Sequence, residues 1–185
     1  SLLQAADMYH PQLPEFEGQL IPTFIPVGID QDPHIRIARD MANRNKDYRF
    51  LPIASTYHLF LPGLRGNGKM SSSDENSFIA MTDSPKEVET KIKKYAFSGG
   101  KDTREEHIKK GGNPDVDVSF QYLKMFFEPD DGKLRKIEED YRAGKLLTGE
   151  LKEYLIKKIN AFLKEHQKKR EQAEKQVDKF IHRQK

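Results

Sequence analysis

Residues 63–73 read GLRGNGKMSSS, and this stretch decides how the whole chain is interpreted. Its three glycines allow the backbone to approach a ligand closely, and Lys69 is followed by three adjacent serine hydroxyls. Such a composition is typical of a loop that handles phosphate groups. The alternative is a mobile polar surface loop without a ligand. A P-loop has a first glycine at a set spacing from a Gly-Lys-Ser/Thr ending. This stretch lacks that pattern, so it is not a P-loop.

On the N-terminal side of this loop, the sequence predicts alternating strands and helices. Apolar runs at residues 20–27 and 50–54 are short and largely continuous, as expected of parallel strands covered on both faces. Between them, Asp32 and Pro33 predict the cap and the first position of a helix. The predicted fold class of residues 1–97 is therefore α/β, built on a strand–helix–strand unit.

Beyond residue 97 the pattern becomes wholly helical, and residues 98–185 are predicted to form an all-α helical bundle. Apolar residues recur there at helical spacing, and the last helix is predicted from Gly149 to Phe180. Helix boundaries are predicted at two capping boxes and three glycines: Ser84 with Glu87, Thr103 with Glu106, Gly99, Gly111 and Gly144. Four aromatic residues are predicted to be core rather than a base-stacking platform: Phe120, Phe126, Phe127 and Tyr141.

The composition argues against several classes of protein. No window approaches the ~20 apolar residues of a membrane span, so no membrane association is expected. The chain contains no cysteine, and its six histidines lack ligand spacing, so neither a disulfide nor a metal site is predicted. His107 is expected to be a satisfied surface residue. Residues 164–185 hold eight Lys/Arg against four Asp/Glu, which favours either phosphate contacts or a solvated helix face.

The order Lys69-Met70-Ser71-Ser72-Ser73 resembles the second signature, KMSKS, of the class I aminoacyl-tRNA synthetases. The resemblance implies a loop that closes over the ATP triphosphate, with Mg²⁺ as the accompanying ion. Lys69 would neutralise the charge that accumulates as pyrophosphate leaves, and Ser71 and Ser73 would donate to phosphate oxygens. Met70 and Ser72 complete the implied ATP-binding stretch. The chemistry suits such a loop, because a carboxylate that attacks the α-phosphorus of ATP needs alignment and positive charge rather than a protein nucleophile.

A second group of residues, VGIDQDP at 27–33, follows the first predicted strand, where open α/β sheets bind ligands. It resembles the tryptophan and tyrosine subclass of the family. The resemblance implies that Gly28 lets the nucleotide approach, Asp30 binds ribose hydroxyls and Gln31 helps to hold the amino acid. Gln4, in the segment LQAAD, is implied to contact the same amino acid. The alternatives are a helix cap in this turn and an ordinary helix-surface position for Gln4.

The region after the signature distinguishes tryptophan from tyrosine specificity. Residues 96–107 and 111–120, together with LTGELK at 147–152, closely resemble the archaeal and eukaryotic tryptophanyl-tRNA synthetases, and the likeness spans nearly the whole chain. It implies ATP-dependent ligation of tryptophan to its tRNA through an aminoacyl-adenylate. It also implies a cytoplasmic protein that is a homodimer in its intact form. The resemblance further implies that residues 1–97 are the C-terminal half of a Rossmann-like parallel-sheet catalytic domain, including the KMSSS loop.

In that family the all-helical domain receives the tRNA anticodon. The resemblance places Lys101 and Asp102 on an exposed Gly-Gly turn against anticodon bases, with Lys109 as a further contact. An aspartate can accept from a cytosine amino group, and a lysine can meet phosphate or base acceptors. The alternative is that Asp102 or Thr103 only begins the next helix.

One departure from the family limits what this chain is expected to do. The first class I signature, His-x-Gly-His, is absent from the sequence. We therefore expect a C-terminal portion that cannot activate an amino acid unless the missing part is supplied. Two other interpretations stay open, namely a tyrosine enzyme of the same subclass and a noncatalytic tRNA-binding module.

Overall fold

The computed structural model describes residues 2–16, 20–66 and 68–179. The chain divides into two compact units, Ser1–Phe60 and Leu61–Lys185. The first unit contains helix α1 (Leu2–Tyr9), strand β1 (Phe24–Gly28), helix α2 (Asp32–Arg44) and strand β2 (Ala54–His58). The second unit contains five helices in its described residues: α3 (Pro85–Tyr95), α4 (Arg104–Lys110), α5 (Val118–Tyr122), α6 (Asp131–Arg142) and α7 (Thr148–Glu174).

The sheet of the first unit is a parallel pair, with Phe24 opposite Ala54 and Gly28 opposite His58. Both strands begin later than the apolar runs predicted. The reason is that Pro22 and Pro52 have no N–H to donate to a sheet, so regular pairing starts beyond them. Neither strand contains a buried residue, so the expectation of cover on both faces is not met within the described residues of this chain.

Helices α1 and α2 form the core of the first unit together with the segment before β2. Apolar side chains from all three are buried there: Ala5, Met8, Tyr9, Ile35, Ala38, Ala42 and Ile53. The Tyr9 hydroxyl donates to the Ala38 carbonyl at 3.0 Å, and Arg39 donates to the Ile53 carbonyl at 3.0 Å. These bonds join α1 to α2, and α2 to the segment before β2, so the turn that leads into α2 has a rigid support.

Helix ends in the second unit follow the capping signals closely. Ser84 and Glu87 form the complete predicted capping box at the start of α3. Thr103 Oγ1 accepts the Glu106 N–H at 3.1 Å, but the Glu106 carboxylate pairs with Lys110, so only half of the second box forms. Gly111 and Gly144 follow α4 and α6 with φ of 71° and 72°, a conformation that favours glycine. The prediction for Gly99 is wrong, because α3 already ends at Tyr95.

Helix α7 is the spine of the second unit and packs against α3 and α5. Its apolar face joins a core that also takes in the start of the signature region: Leu64, Val88, Ile92, Val118, Phe120, Leu123, Tyr141, Leu151, Leu155, Ile159 and Leu163. Lys152 on α7 donates from Nζ to the Ala96 carbonyl at 2.8 Å, and burial lowers the pKa of its ammonium group. Helix α7 begins one residue before the prediction. It ends at Glu174 and a 3₁₀ turn follows at Val177–Lys179, so the prediction that the helix runs to about Phe180, a residue outside the described part, is wrong.

The aromatic prediction is confirmed only in part. Phe120 and Tyr141 are buried and Phe127 is half-buried, whereas Phe126 is 68% exposed and does not belong to the core. The turn at Leu123–Phe127 is π-helical and has more residues per turn than an α-helix. Phe126 therefore points away from the face on which α-helical spacing would place it. Across the residues that the structure describes, no helix is long and apolar enough to cross a membrane.

The compact units are divided after Phe60, whereas the functional division predicted from the sequence lies after residue 97. Residues 61–97 therefore pack with the helices, although the sequence grouped them with the sheet. The predicted division into catalytic and anticodon-binding domains concerns activity rather than compactness, and it stays a prediction.

Candidate functional site

The turn after β1 brings together the residues predicted to bind the nucleotide and the amino acid. Gly28 ends β1, and Ile29–Gln31 form a single 3₁₀ turn that leads directly into α2. The turn therefore lies at the carboxyl end of the parallel pair, where α/β sheets usually hold ligands. Asp30 is exposed on this turn.

Gln4 and Gln31 lie side by side, although 27 residues separate them in the sequence. Gln4 Nε2 donates to Gln31 Oε1 at 2.8 Å, and both side chains are half-buried. The bond orients the two amides with respect to each other. It uses one of the four N–H donors and one of the four carbonyl lone pairs of the two side chains, so the pair still has both donors and acceptors for a polar ligand. The predicted grouping of these two residues therefore agrees with their geometry.

Gly28 is required by close contacts rather than by its backbone angles. A Cβ at this position would lie 2.8 Å from Asp30 Oδ1 and 3.4 Å from the Phe60 ring. It would also lie 3.7 Å from Nε2 of His58, the residue opposite Gly28 in the sheet. The sequence did not single out His58, because the second strand was predicted to end at Ala54. A correct register would have placed His58 beside this turn.

The proposed capping role of Asp32 is not found. Helix α2 begins at Asp32, its cap residue is Gln31 and no side-chain cap bond is formed. The Asp32 carboxylate instead pairs with Arg36 Nε at 2.7 Å, one turn along the helix. Gln31, the cap residue, therefore forms no side-chain cap bond.

The signature loop, residues 63–77, is an ordered structure in its described part, which excludes Asn67. The Leu64 N–H donates to the Ser77 carbonyl at 2.8 Å, and the Gly63 N–H donates to the Gly68 carbonyl at 3.0 Å. Gly66 and Gly68 have φ of 75° and 83°, so both positions favour glycine. These bonds argue against the alternative of an unstructured polar loop.

The tip of the signature loop presents a lysine and three serines to solvent. Lys69, Met70, Ser71, Ser72 and Ser73 are all exposed, and the Ser71 and Ser73 hydroxyls lie 2.8 Å apart in a hydrogen bond. A cation and a pair of adjacent hydroxyls on a glycine-flanked backbone can together meet phosphate oxygens. All five residues belong to the second compact unit.

The base of the loop is fastened to the helical unit. The Tyr122 hydroxyl donates to the Pro62 carbonyl at 2.9 Å, and burial raises the pKa of this hydroxyl. The Phe97 N–H donates to the Leu64 carbonyl at 2.7 Å, while Arg65 pairs with Asp74 at 3.0 Å. The loop tip therefore projects from a rigid base.

The Gly-Gly turn, residues 98–102, carries two of the three predicted anticodon contacts. Lys101 and Asp102 are exposed and line a pocket of about 420 Å³ between this turn and the start of α7. Thr103 caps α4, so Asp102 is not needed for that purpose. Lys109 is exposed on α4 but does not line this pocket.

A buried carboxylate supports the Gly-Gly turn from below. Asp117 is fully buried, and its Oδ2 accepts the Gly99 N–H and the Tyr141 hydroxyl, each at 2.8 Å. Burial and the neighbouring carboxylate raise the pKa of Tyr141 to about 12, so the phenol keeps its proton. Thr148 Oγ1 lies 3.1 Å from the same hydroxyl. Asp117 lies within residues 111–120, and its role in supporting the turn was not predicted from the sequence.

The prediction for His107 is wrong, since only 3% of it is exposed. His107 Nε2 lies 3.0 Å from the Leu146 carbonyl, which can only accept, so Nε2 carries the proton. The apolar positions around α4 gave no sign that this face of the helix packs under the Gly-Gly turn. His107 therefore contributes to packing beneath the pocket.

Comparison with known proteins gives a consistent result. The family model described as tRNA synthetases class I (W and Y) matches residues 1–164. The tryptophan–tRNA ligase of Sulfurisphaera tokodaii is 60% identical over 157 residues, which cover 84% of this chain and 40% of that relative. The crystal structure of tryptophanyl-tRNA synthetase from Aeropyrum pernix K1 is 42% identical with a TM-score of 0.87, covering 93% of this chain and 46% of the other.

A tyrosyl-tRNA synthetase structure from Aeropyrum pernix is 18% identical with a TM-score of 0.65, and it covers 88% of this chain and 45% of the other. At that identity the likeness concerns the fold alone. The chain thus spans less than half the length of these relatives.

Proposed function

Because this chain belongs to the class I tRNA synthetases of the W and Y group, we propose that it forms part of an ATP-dependent tryptophan–tRNA ligase. The observation that carries the proposal is the ordered signature loop, which presents Lys69 beside the bonded hydroxyls of Ser71 and Ser73. The sequence likeness favours tryptophan over tyrosine, since the named tryptophan relative is 60% identical and the tyrosine enzyme's structure only 18%.

The turn after β1 is proposed to bind the adenosine and the amino acid. The exposed Asp30 carboxylate offers acceptors for two ribose hydroxyls, and Gly28, which lies beside that carboxylate and has no side chain, is proposed to let the nucleotide approach the backbone. The Gln4–Gln31 pair offers a donor and an acceptor to the amino acid. The pair is already oriented, so less conformational entropy is lost when substrate binds.

The signature loop is proposed to bind the triphosphate. The carboxylate of tryptophan attacks the α-phosphorus, the bond from that phosphorus to the bridging oxygen breaks, and pyrophosphate leaves with the electron pair. Lys69 stabilises the negative charge that develops on pyrophosphate, and the hydroxyls of Ser71 and Ser73 exchange their mutual bond for bonds to phosphate oxygens. A ribose hydroxyl of the tRNA's terminal adenosine then attacks the aminoacyl carbonyl of the adenylate, the ester bond forms and AMP leaves.

Mg²⁺ is proposed to enter with the nucleotide. The described residues contain no group of three or more His, Cys, Asp or Glu side chains arranged to hold a metal ion. Mg²⁺ commonly takes its ligands from phosphate oxygens and water in such reactions, so this arrangement is compatible with the ion. No residue of this chain is assigned to it.

The chain is proposed to combine a Rossmann-like part with a helical bundle. Its helical unit is proposed to receive the anticodon of tryptophan tRNA. The Asp102 carboxylate would accept from a base amino group, while Lys101 and Lys109 would meet phosphate or base acceptors. As the family resemblance implies, we propose that the intact enzyme is a homodimer in the cytoplasm. A noncatalytic tRNA-binding module is the second candidate, since residues 164–185 hold eight Lys/Arg against four Asp/Glu, a surplus that favours phosphate contacts.

The test is tryptophan-dependent exchange of pyrophosphate into ATP. We would replace the aligned segment of the Sulfurisphaera tokodaii ligase by this chain and compare the chimera with its parent and with this chain alone. We expect exchange by the chimera with tryptophan but not tyrosine, and none by the chain alone. Lys69→Ala in the chimera should lower kcat at least about a hundredfold, the usual effect of removing one group that stabilises transition-state charge.

Two outcomes would contradict the proposal. A soluble chimera with no exchange, beside an active parent, would show that this segment does not support the reaction. An unchanged kcat in Lys69→Ala would remove the signature lysine from the mechanism. If the chain bound tRNA while the chimera remained inactive, the noncatalytic module would be preferred.

A further inference from the structure

Ser77 holds the signature loop in place through its side chain and its backbone at once. Its hydroxyl accepts the Ser71 N–H at 2.9 Å and lies 2.7 Å from the Asp74 carbonyl, to which it donates. Its own carbonyl accepts the Leu64 N–H at 2.8 Å, and its N–H donates to the Asp74 carbonyl at 2.9 Å. All of these bonds lie within the signature loop.

The Ser77 hydroxyl has a fixed position because its surroundings are fixed. Ser77 is only 6% exposed, and the residue to which its carbonyl is bonded, Leu64, is completely buried in the core of the second unit. The neighbouring Pro62 carbonyl is held by Tyr122. The hydroxyl is thus a rigid acceptor at the foot of a loop whose tip is exposed.

The residue that Ser77 holds is the first serine of the signature. Through the Ser71 N–H, Ser77 fixes the backbone from which the Ser71 hydroxyl projects, and Ser71 is in turn bonded to Ser73. Without the Ser77 acceptor, the Ser71 amide would lose its partner and the backbone of the tip would sample more conformations. Ordering that backbone would then oppose nucleotide binding.

We propose that Ser77 is a positioning residue for the ATP triphosphate, acting by holding the Ser71 amide so that the Ser71 and Ser73 hydroxyls stay together. The proposal rests on the function proposed above for the signature loop. Ser77 itself touches no substrate, and it adds to the loop a residue that lies outside the signature motif. Its loss should affect ATP rather than tryptophan.

A matched control is available in the same compact unit. Ser119 is fully buried, and its hydroxyl has no hydrogen-bond partner among the described residues. Ser77→Ala and Ser119→Ala remove the same atom from two buried positions, but only the first removes hydrogen bonds. Ser77→Thr keeps a hydroxyl at the position and serves as the conservative variant.

The first measurement is hydrogen exchange of the Ser71 amide in the 185-residue chain. We expect Ser77→Ala to speed exchange at Ser71 by about tenfold, the effect of losing one hydrogen bond to a buried group. Ser119→Ala should leave that rate unchanged, and amides of α7 should remain as protected in both variants as in the parent. Equal Ser71 protection in Ser77→Ala and the parent chain would overturn the proposal.

The second measurement separates positioning from general stability. In the chimeric ligase, we expect Ser77→Ala to raise the KM for ATP about tenfold while leaving the KM for tryptophan unchanged, and Ser77→Thr to recover part of the loss. An equal loss for both substrates, accompanied by faster exchange in α7, would reduce Ser77 to a structural role and reject the proposal. An inactive chimera with an intact Ser77 would instead count against the proposed function, while the exchange of Ser71 would still decide the role of Ser77.

Discussion

At the residue scale, two glycines of the second unit differ in what surrounds them. A Cβ on Gly99 would lie 1.9 Å from the Asn113 carbonyl oxygen, which belongs to backbone and cannot rotate away. A Cβ on Gly149, in the first turn of α7, would meet nothing within 4 Å. The first position therefore requires glycine, whereas the second tolerates a side chain.

We expect Gly99→Ala to lower the free energy of unfolding by about 1–3 kcal/mol, because the backbone must move to admit the methyl group. Gly149→Ala should be neutral or raise it by up to about 1 kcal/mol, because alanine favours the helix. Urea unfolding of both variants, followed by circular dichroism, measures the difference. If the two substitutions cost the same, the close approach of Gly99 to Asn113 does not contribute to stability.

At the residue scale, the family resemblance grouped Gln4 with Gln31 across 27 residues of sequence, and their amides lie 2.8 Å apart. The roles of the two residues stay predictions. Ser77 and His58 were missed because their importance depends on long-range geometry, namely a loop that folds back and a strand register. A serine beyond the signature motif and a histidine beyond the predicted end of a strand carry no local signal of either.

At the element scale, one buried carboxylate joins the π-helical turn after α5 to α7. Only 1% of the Glu128 side chain is exposed; it accepts from the Tyr154 hydroxyl and pairs with Lys158 Nζ at 3.0 Å. The hydrogen bond from Tyr154, together with Lys158, lowers the pKa of Glu128 from 4.5 to about 2. Folding thus favours the ionised form of Glu128. This contribution to the free energy of unfolding is fully present above the pKa of the unfolded state, and it is lost as the pH falls through the pKa of the folded state.

Parent protein should therefore lose thermal stability between pH 4.5 and about 2, in the window set by the two pKa values of Glu128. We expect Glu128→Gln to lower Tm by several degrees at neutral pH and to show a shallower fall in that window. Glu89→Gln, which removes an exposed ion pair with Lys93, serves as the control and should change Tm little. Parallel curves for Glu128→Gln and the parent would show that this carboxylate does not determine acid stability.

Helix boundaries were predictable where a residue satisfies the backbone at a helix end. The Ser84 box and the glycines at 111 and 144 provide such bonds or angles, and α3, α4 and α6 begin or end beside them. Strand boundaries were less predictable, because hydropathy does not reveal where a proline interrupts pairing. The apolar run at 20–27 therefore overlaps most of β1, whereas the run at 50–54 shares only Ala54 with β2.

At the scale of the whole molecule, the sequence predicted an α/β part followed by helices, and the chain has a parallel pair followed by helices. The assignment of residues 61–97 could not be predicted from local pattern. Its decisive contacts are those of Phe97 with Val118 and of Pro62 with Tyr122, which join this segment to helix α5. The signature loop is consequently supported by the helical unit.

The helical unit also allows a test of tRNA binding by the chain alone. Lys101 and Asp102 line the same pocket, but a lysine that meets phosphate and an aspartate that meets a base should respond differently to salt and sequence. For Lys101→Ala we expect weaker binding of every tRNA and a salt dependence reduced by about one ion. Asp102→Asn should weaken the binding of tryptophan tRNA by about 1–3 kcal/mol, and it should leave the binding of a tRNA with a mutated anticodon nearly unchanged.

Fluorescence anisotropy at several salt concentrations measures both quantities, with Lys169→Ala as the control because Lys169 is exposed on α7 and paired with Glu165. Should Asp102→Asn weaken the two tRNAs equally, the Gly-Gly turn would contribute to binding only through its charge. Should Lys169→Ala reduce the salt dependence as much as Lys101→Ala, the binding surface would extend along α7, and the basic end of that helix would have the phosphate-binding role rather than that of a solvated face.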